Sequence, residues 1–389
     1  MGDEEFVEFG GPRWPRWGRV GGLVLVGLAA LVLVAVRVWP GQDSTQAVVA
    51  PWPSAQGACA SVHDLAIVSS TPPKERTGLR VLLGGDRVRT VDFDGGPVAT
   101  VGALRPGEFG DVLGNGLVVT RTCALGGSRI LRLGDGEKLS VLGSLESLLA
   151  GPGGVWVVTF PPDTDHGDGF VRPLDSDRWT RLPVGFTPYA VSGDELVGLL
   201  DPSQSGPPSR LVIVSATTGR KLADLGQDAQ PVATGIGQIV WTTGCDPSGG
   251  GPCDLHRRRL RTGSTSTYRV PRPVCCSGVV SPDGKLVAFL LERSTDDPRY
   301  AGHPMRPSDI AVLQLDTGRL EIVPGIELPA KSSPGLAFSA DGRWLAIALD
   351  AGPRIRLLAW RPGLQLPYET GPIPGQVLRN ATVAVLAGR

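Results

Sequence analysis

Four short stretches of this sequence bring together residues able to do chemistry. The run "PPDTDHGDG" gathers Asp163, Asp165, His166 and Asp168 in one loop, an oxygen-rich set of the kind that suits calcium. It lacks the regular odd-position ligands and the distal glutamate of a calcium loop, position 174 being leucine. A solvated acidic turn is therefore the first reading, with Asp163, Asp165 and Asp168 kept as candidate metal ligands. "GCDPSGGGPC" places Asp246 and Ser248 between Cys245 and Cys253, Cys275 and Cys276 are adjacent, and "HRRRLR" (His256 to Arg261) is the strongest charge run. On a strand, that run would put Arg257 and Arg259 on one face and Arg258 on the other, as expected of a solvated edge strand.

Asp246, Ser248, Gly249 and Gly250 echo the Gly-Asp-Ser-Gly-Gly-Pro of trypsin-like serine proteases, but the likeness fails in detail. A proline separates Asp from Ser, an extra glycine follows, and no upstream histidine has the alanine-rich setting of such enzymes. There is no Gly-x-Ser-x-Gly elbow. His63, His256 and His303 are scattered and form no metal cluster. No catalytic set and no cofactor motif is expected.

Lys+Arg 38 balances Asp+Glu 38, which removes the basic footprint of a nucleic-acid binder. From Val20 to Val36 the run "VGGLVLVGLAALVLVAV" is free of charge and bounded by Arg19 and Arg37. As a helix it spans about 26 Å, close to a hydrocarbon core, and Trp14, Trp17 and Trp39 stand at interfacial positions. Arg13, Arg16 and Arg19 precede it, whereas only Arg37 follows before Lys74, so the positive-inside rule puts the N-terminus in the cytoplasm. The reading is a tail over 1–19, a transmembrane helix over 20–38, a Pro/Ser/Ala linker over 39–57, and an extracytoplasmic domain over 58–389 at the cell membrane. A cleaved signal peptide is the alternative, with "TQA" ending at Ala47 as the nearest site.

All six cysteines (Cys59, Cys123, Cys245, Cys253, Cys275, Cys276) lie beyond the apolar run, and an even count in an exported domain points to disulfides. Cys245 and Cys253 flank a Gly/Pro turn whose ends must come close, which pairs them and leaves three arrangements for the other four.

The elements that must position these residues recur. A Gly-containing polar turn followed by an apolar strand appears as "GNGLVVT", "GPGGVWVVTF", "SGDELVGLL", "GIGQIVWTT", "SPDGKLVAFLL" and "SADGRWLAIAL". The leading apolar residues, Leu117, Val155, Leu196, Ile239, Leu286 and Trp344, are separated by 38, 41, 43, 47 and 58 residues. Each unit continues into one or two further strand-like runs. A period near 40 with about four strands per unit is the signature of a propeller blade. The runs "DLAIVSS", "LRVLLGG" and "RVRTVDF" would make a seventh unit short of one strand, which the C-terminal "NATVAVLAGR" can supply. The fold class read here is all-β, a seven-bladed propeller after one transmembrane helix. Gly 54 and Pro 35 suit many short strands and tight turns.

Ser281-Pro282-Asp283-Gly284-Lys285 and Ser339-Ala340-Asp341-Gly342-Arg343 resemble the turn repeats of TolB-like and WD-repeat-like propellers, closely over Val274 to Tyr368 and loosely before. The resemblance implies structural roles for Asp283, Gly284, Asp341 and Gly342 and carries no catalytic residue across. In such families, and by turn physics, Asp caps the turn and Gly takes the positive-φ position.

A ring would separate the second unit, with Cys123, from the entry to the sixth, with Cys275 and Cys276. That favours Cys59 with Cys123, leaving Cys275 and Cys276 free or joined to each other as a vicinal pair. Two functions fit: a membrane-anchored binding platform for a protein, peptide or glycan at the cell surface, or an exported propeller enzyme of lyase, cyclase or glycosidase type with carboxylates gathered at the central channel.

Overall fold

The computed structural model describes residues 66–386 apart from 97, 102–103, 106–107, 114–116, 123–128, 133–137, 142–145, 161–167, 201–208, 246–250, 294–306, 330–331 and 378–380. The proposed tail, membrane span and linker, with Cys59, Cys123, Asp163 and Asp165, lie outside the described residues. So do the side chains of Cys275 and Cys276. Among the described residues every regular element is a strand, and no helix is long and apolar enough to cross a membrane.

Among the described residues the strands form seven antiparallel sheets of four or five strands, six of them simple meanders, and one two-stranded pair. Sheet 2 runs Glu108–Val112, Leu117–Thr122, Arg129–Arg132, Lys138–Val141; sheet 3 runs Glu146–Gly151, Gly154–Thr159, Phe170–Pro173, Thr180–Arg181; sheet 4 runs Phe186–Ser192, Glu195–Leu200, Arg210–Ser215, Lys221–Gln227. Sheet 5 runs Gln230–Gly235, Gln238–Thr243, Cys253–Arg259, Thr265–Val270, and sheet 6 runs Val274–Val280, Leu286–Glu292, Ser308–Gln314, Leu320–Ile322. Sheet 7 runs Gly335–Phe338, Leu345–Asp350, Arg354–Trp360, Tyr368–Glu369, with Ile373–Pro374 beside its third strand. Sheet 1 is the exception: Arg80–Leu83, Arg89–Asp92 and Ala99–Thr100 are completed by Val383–Val385, which pairs with Arg80–Leu83.

The strands read as continuous apolar runs because each sheet is covered on both faces. In Leu286–Glu292, Val287, Phe289 and Leu291 pack with Val240 and Leu255 of sheet 5, whereas Ala288 and Leu290 pack with Ile347 and Trp360 of sheet 7. The same alternation links every consecutive pair. Val197 and Leu211 meet Ile239 and Trp241 between sheets 4 and 5, and Trp156 meets Phe186 between 3 and 4. Leu117 and Ile130 meet Val157 between 2 and 3, and Leu82 meets Val112 and Val118 between 1 and 2. Ile355 and Leu357 meet Val81 and Val91, returning sheet 7 to sheet 1.

"DLAIVSS" does not join the first unit. Its strand Ile67–Val68 pairs with Ile326–Glu327, on the connection between sheets 6 and 7, and the fourth strand of sheet 1 is Ala99–Thr100. Pro72 and Pro73 lack the amide hydrogens a ladder needs, so the chain continues as an extended strap. Thr71 bridges Tyr368, Ser70 bonds Glu369, and Asp94 accepts the Thr77 and Gly78 amides at 2.8 Å each. The strap thereby touches sheets 6, 7 and 1 in turn.

The "HRRRLR" run is likewise no edge. Cys253–Arg259 is a third strand, paired on both sides. Arg257 donates through Nε to Gln238 Oε1 at 2.6 Å and through Nη2 to the Gly284 carbonyl at 3.0 Å, fastening sheet 5 to the next sheet's turn. His256 stacks on Trp241 with ring centroids 5.2 Å apart and lies within hydrogen-bond reach of the Thr243 and Thr267 hydroxyls. Burial lowers its pKa, against a smaller opposing pull from Asp254.

Candidate functional site

A meander sends the first-to-second and third-to-fourth connections to one end of a sheet, and the second-to-third connection together with the link to the next sheet to the other. The molecule therefore has a turn face and a loop face of different build.

On the turn face the first-to-second connections are short, two residues each at 152–153, 193–194 and 236–237. Two longer ones, 281–285 and 339–344, are copies of one construction. Ser281 Oγ donates to Asp283 Oδ1 at 2.6 Å and accepts the Leu286 amide at 2.9 Å, while the same Asp283 oxygen accepts the Lys285 amide at 3.1 Å. Ser339 Oγ donates to Asp341 at 2.5 Å and accepts the Trp344 amide at 2.9 Å, and Asp341 accepts the Arg343 amide at 3.0 Å. Gly284 and Gly342 both take φ of 71°, where a Cβ would clash with the following carbonyl. Neighbouring turns are bolted together: Trp156 Nε1 donates to the Gly193 carbonyl at 2.9 Å, and Ser192 Oγ donates to the Gly235 carbonyl at 2.8 Å. These residues hold the shape of the turns.

The turn carboxylates make stability depend on acid. The Ser339 hydroxyl holds Asp341 below its ordinary pKa against burial; at Asp283 burial pulls upward, but the Ser281 hydroxyl and Lys285 amide outweigh it. Arg356 lowers Glu369, and Arg210 lowers Asp224. Glu195 works in the opposite sense, raised by burial and by Asp194. Groups lowered in the folded state contribute fully above the unfolded carboxyl values, about 4, and that contribution is lost as pH falls through the folded values. The expected melting temperature falls slightly from pH 7 to about 5, as His256 of the unfolded chain takes up a proton that burial disfavours in the fold, and falls more steeply below about 4. Asp341→Asn should lower the melting temperature at pH 7 and shrink the acid limb; a limb unchanged in the variant would remove Asp341 from this account.

The loop face carries the long connections. Residues 160–169, 201–209, 244–252 and 293–307 link second to third strands in four consecutive sheets, 3 to 6, whereas the equivalent link in sheet 7 is 351–353. The connection in sheet 5 is closed by a disulfide between Cys245 and Cys253, Cα atoms 4.7 Å apart. Closing so short a loop stabilises by roughly 2 to 3 kcal/mol in the chain-entropy model. The Cys245→Ser/Cys253→Ser variant should melt several degrees lower than the oxidised protein and match the reduced one, which differential scanning under both conditions would check.

Between the faces run the innermost strands, whose free edges line the ring's axis. Three consecutive ones carry bulges, at Pro188/Ala190, Pro231/Ala233 and Cys275/Val279. Bulges redirect side chains, and Tyr189, inside the first of them, is 52% exposed. Cys275 pairs through its backbone with Leu290, and Cys276 begins the bulged segment. At Gly278 a Cβ would lie 2.7 Å from the Ala288 carbonyl and 3.2 Å from Val232, so only glycine lets the bulge lean on sheet 5. Among the described residues the innermost strands contribute three carboxylates, Glu108, Asp111 and Glu146, all from sheets 2 and 3. Glu108 is buried and accepts the Arg105 amide at 2.7 Å.

Of the three candidate metal ligands only Asp168 is among the described residues. Asp168 Oδ2 is held by Arg181 at 2.7 Å, and no group of three or more His, Cys, Asp or Glu suited to a metal occurs among the described residues. Sequence reasoning missed the strap, the bulges and the Arg257 bolt. Pro188 and Pro231, each two residues before a register shift, were the available signal for two bulges.

No protein-family model matches the chain, and no curated protein does. Solved structures do. An oligogalacturonate lyase in complex with manganese aligns with a TM-score of 0.50 at 12% identity, over 77% of this chain and 91% of that one. AztD from Citrobacter koseri aligns at 0.46 and 10% identity over 80% and 99%, and TolB from Acinetobacter baumannii at 0.42 and 15% identity over 80% and 67%. At 12% identity the likeness to the lyase is one of fold alone, and it agrees with the ring of four- and five-stranded sheets described above, a β-propeller.

Proposed function

We propose that the chain is a membrane-anchored, extracytoplasmic seven-bladed propeller that presents its loop face to a protein, peptide or glycan partner. The observation that carries the reading is the contrast between the faces. One is closed by short, mutually bonded turns; the other gathers long connections from four neighbouring sheets, one of them pinned by a disulfide. Rigid scaffolds that concentrate variable-length loops on one side place recognition there. The helix over 20–38, with its apolar run at 20–36, would anchor the domain, and the linker over 39–57 would hold it off the membrane. The TolB-like turns support the propeller class, and the Cys245–Cys253 bond suits an oxidising compartment. The enzyme alternative needs carboxylates converging from several sheets, and the described inner strands offer them from sheets 2 and 3 alone.

The test is topological. A tag fused to the C-terminus of the full chain should be removed from intact cells by an added protease that cannot enter, leaving an N-terminal fragment in the membrane fraction. A tag protected until lysis, on a protein recovered from the soluble fraction, would overturn the placement.

A further inference from the structure

We propose that a cavity on the outer flank, between sheets 7 and 1 and beneath the strap, binds an anionic ligand with an apolar body, such as an acyl or aryl acid. The cavity is a groove open to solvent with a volume of about 880 Å³, within the size range of small-molecule sites. Its apolar floor is made by the exposed Pro73, Pro372 and Pro374 with Val98 half exposed at the edge, and is backed by the core residues Val91, Phe93 and Ile373, themselves buried. Six charged side chains line it, and four are already committed. Glu75 is paired with Arg361 at 2.8 Å, and Glu369 is held by Arg356. Asp94 takes the Thr77 and Gly78 amides. Asp92 accepts the Asp94 amide at 3.0 Å and folds over its own hairpin, its Oδ2 lying 2.7 Å from where a Gly96 Cβ would stand.

Lys74 and Arg76 are the two that remain. Both are exposed on the strap, and neither has an ion-pair or hydrogen-bond partner among the described residues. Arg76 reaches Asp94 only through its field, as one of the smaller influences lowering that carboxyl. The cavity thus combines an apolar floor with two uncommitted cations at one edge. A ligand carboxylate, sulfonate or phosphate beside a hydrocarbon body satisfies both, and its charge-assisted hydrogen bonds to Arg and Lys are the strong kind. The inference is independent of the loop-face reading, since it concerns the opposite flank of sheets 1 and 7.

The test uses the full chain in detergent and two fluorescent compounds of similar shape, the anionic 8-anilinonaphthalene-1-sulfonate and the neutral N-phenyl-1-naphthylamine. The protein should bind the anion more tightly. Lys74→Glu/Arg76→Glu should weaken the anion about tenfold or more while leaving the neutral compound and the melting temperature unchanged. Val98→Trp, which fills the cavity edge, should displace both. Competition by octanoate would identify a free acid as the better match, and competition by a short peptide only when its C-terminus is free would identify a chain end. Equal losses for both compounds in the charge variant, or binding indifferent to Val98→Trp, would overturn the proposal.

Discussion

A chain ending at residue 380 is expected to yield no cooperatively folded domain. The truncation removes Val383–Val385, which pairs with Leu83, Leu82 and Val81. It also removes the Thr382 carbonyl that accepts the Gly84 amide at 2.9 Å and the Thr382 hydroxyl that accepts the Val112 amide at 3.0 Å. Val383 and Ala384 are buried in two different inter-sheet clusters, so their loss opens sheet 1 towards both neighbours. The edge of Arg80–Leu83 is then bare, and bare apolar edges template aggregation. Insoluble expression, or soluble protein with no sharp thermal transition, is the expected result. Supplying residues 378–389 as a separate peptide should restore the transition, because strand pairing needs no covalent link. A truncated protein melting as the full chain does would show that this strand does not close the ring.

Trp360→Ala should be the most damaging single core substitution. Trp360 is 1% exposed, sits among Leu290, Ile310 and Ile347 between sheets 6 and 7, and donates through Nε1 to the Leu364 carbonyl at 3.2 Å. Truncating a buried tryptophan costs about 3 to 5 kcal/mol, as lost transfer energy and the cavity left behind add. The hydrogen bond is lost with it, leaving the Leu364 carbonyl without that donor. The melting temperature should fall by on the order of 10 °C, with a smaller fall for Trp360→Phe. A change under about 1 kcal/mol would mean that the interface between these sheets can collapse around the gap.

Much of the fold was legible because local chemistry and global architecture agree at particular residues. Ser281 with Asp283 and Ser339 with Asp341 bond within five residues of themselves, so the turn can be read without knowing its surroundings. The apolar runs following those turns are long because both faces of each strand are covered. The Gly/Pro turn between Cys245 and Cys253 declared its closure the same way. What stayed hidden depends on partners distant in sequence. Arg257 looked like an exposed charge because its acceptors, Gln238 and the Gly284 carbonyl, become neighbours only once sheets 5 and 6 pack. Ile67–Val68 resembled a first-blade strand because its partners are distant: Ile67 pairs with Glu327, 260 residues further on, and Val68 with Ile326, 258 further on. The cavity beneath the strap is of the same kind. Its emptiness of free carboxylates follows from Arg356, Arg361 and the Thr77 and Gly78 amides, none of which the linear sequence links to Glu369, Glu75 or Asp94.

Recognition by the loop face is open to site-specific photo-crosslinking on intact cells. A photoreactive residue would replace Val184 or Pro271, exposed in connections between sheets on the loop face, or Ile236 or Thr317, exposed on the turn face. The account predicts discrete adducts from positions 184 and 271 and none from 236 and 317. Adducts confined to the turn face, or equal from both, would contradict it.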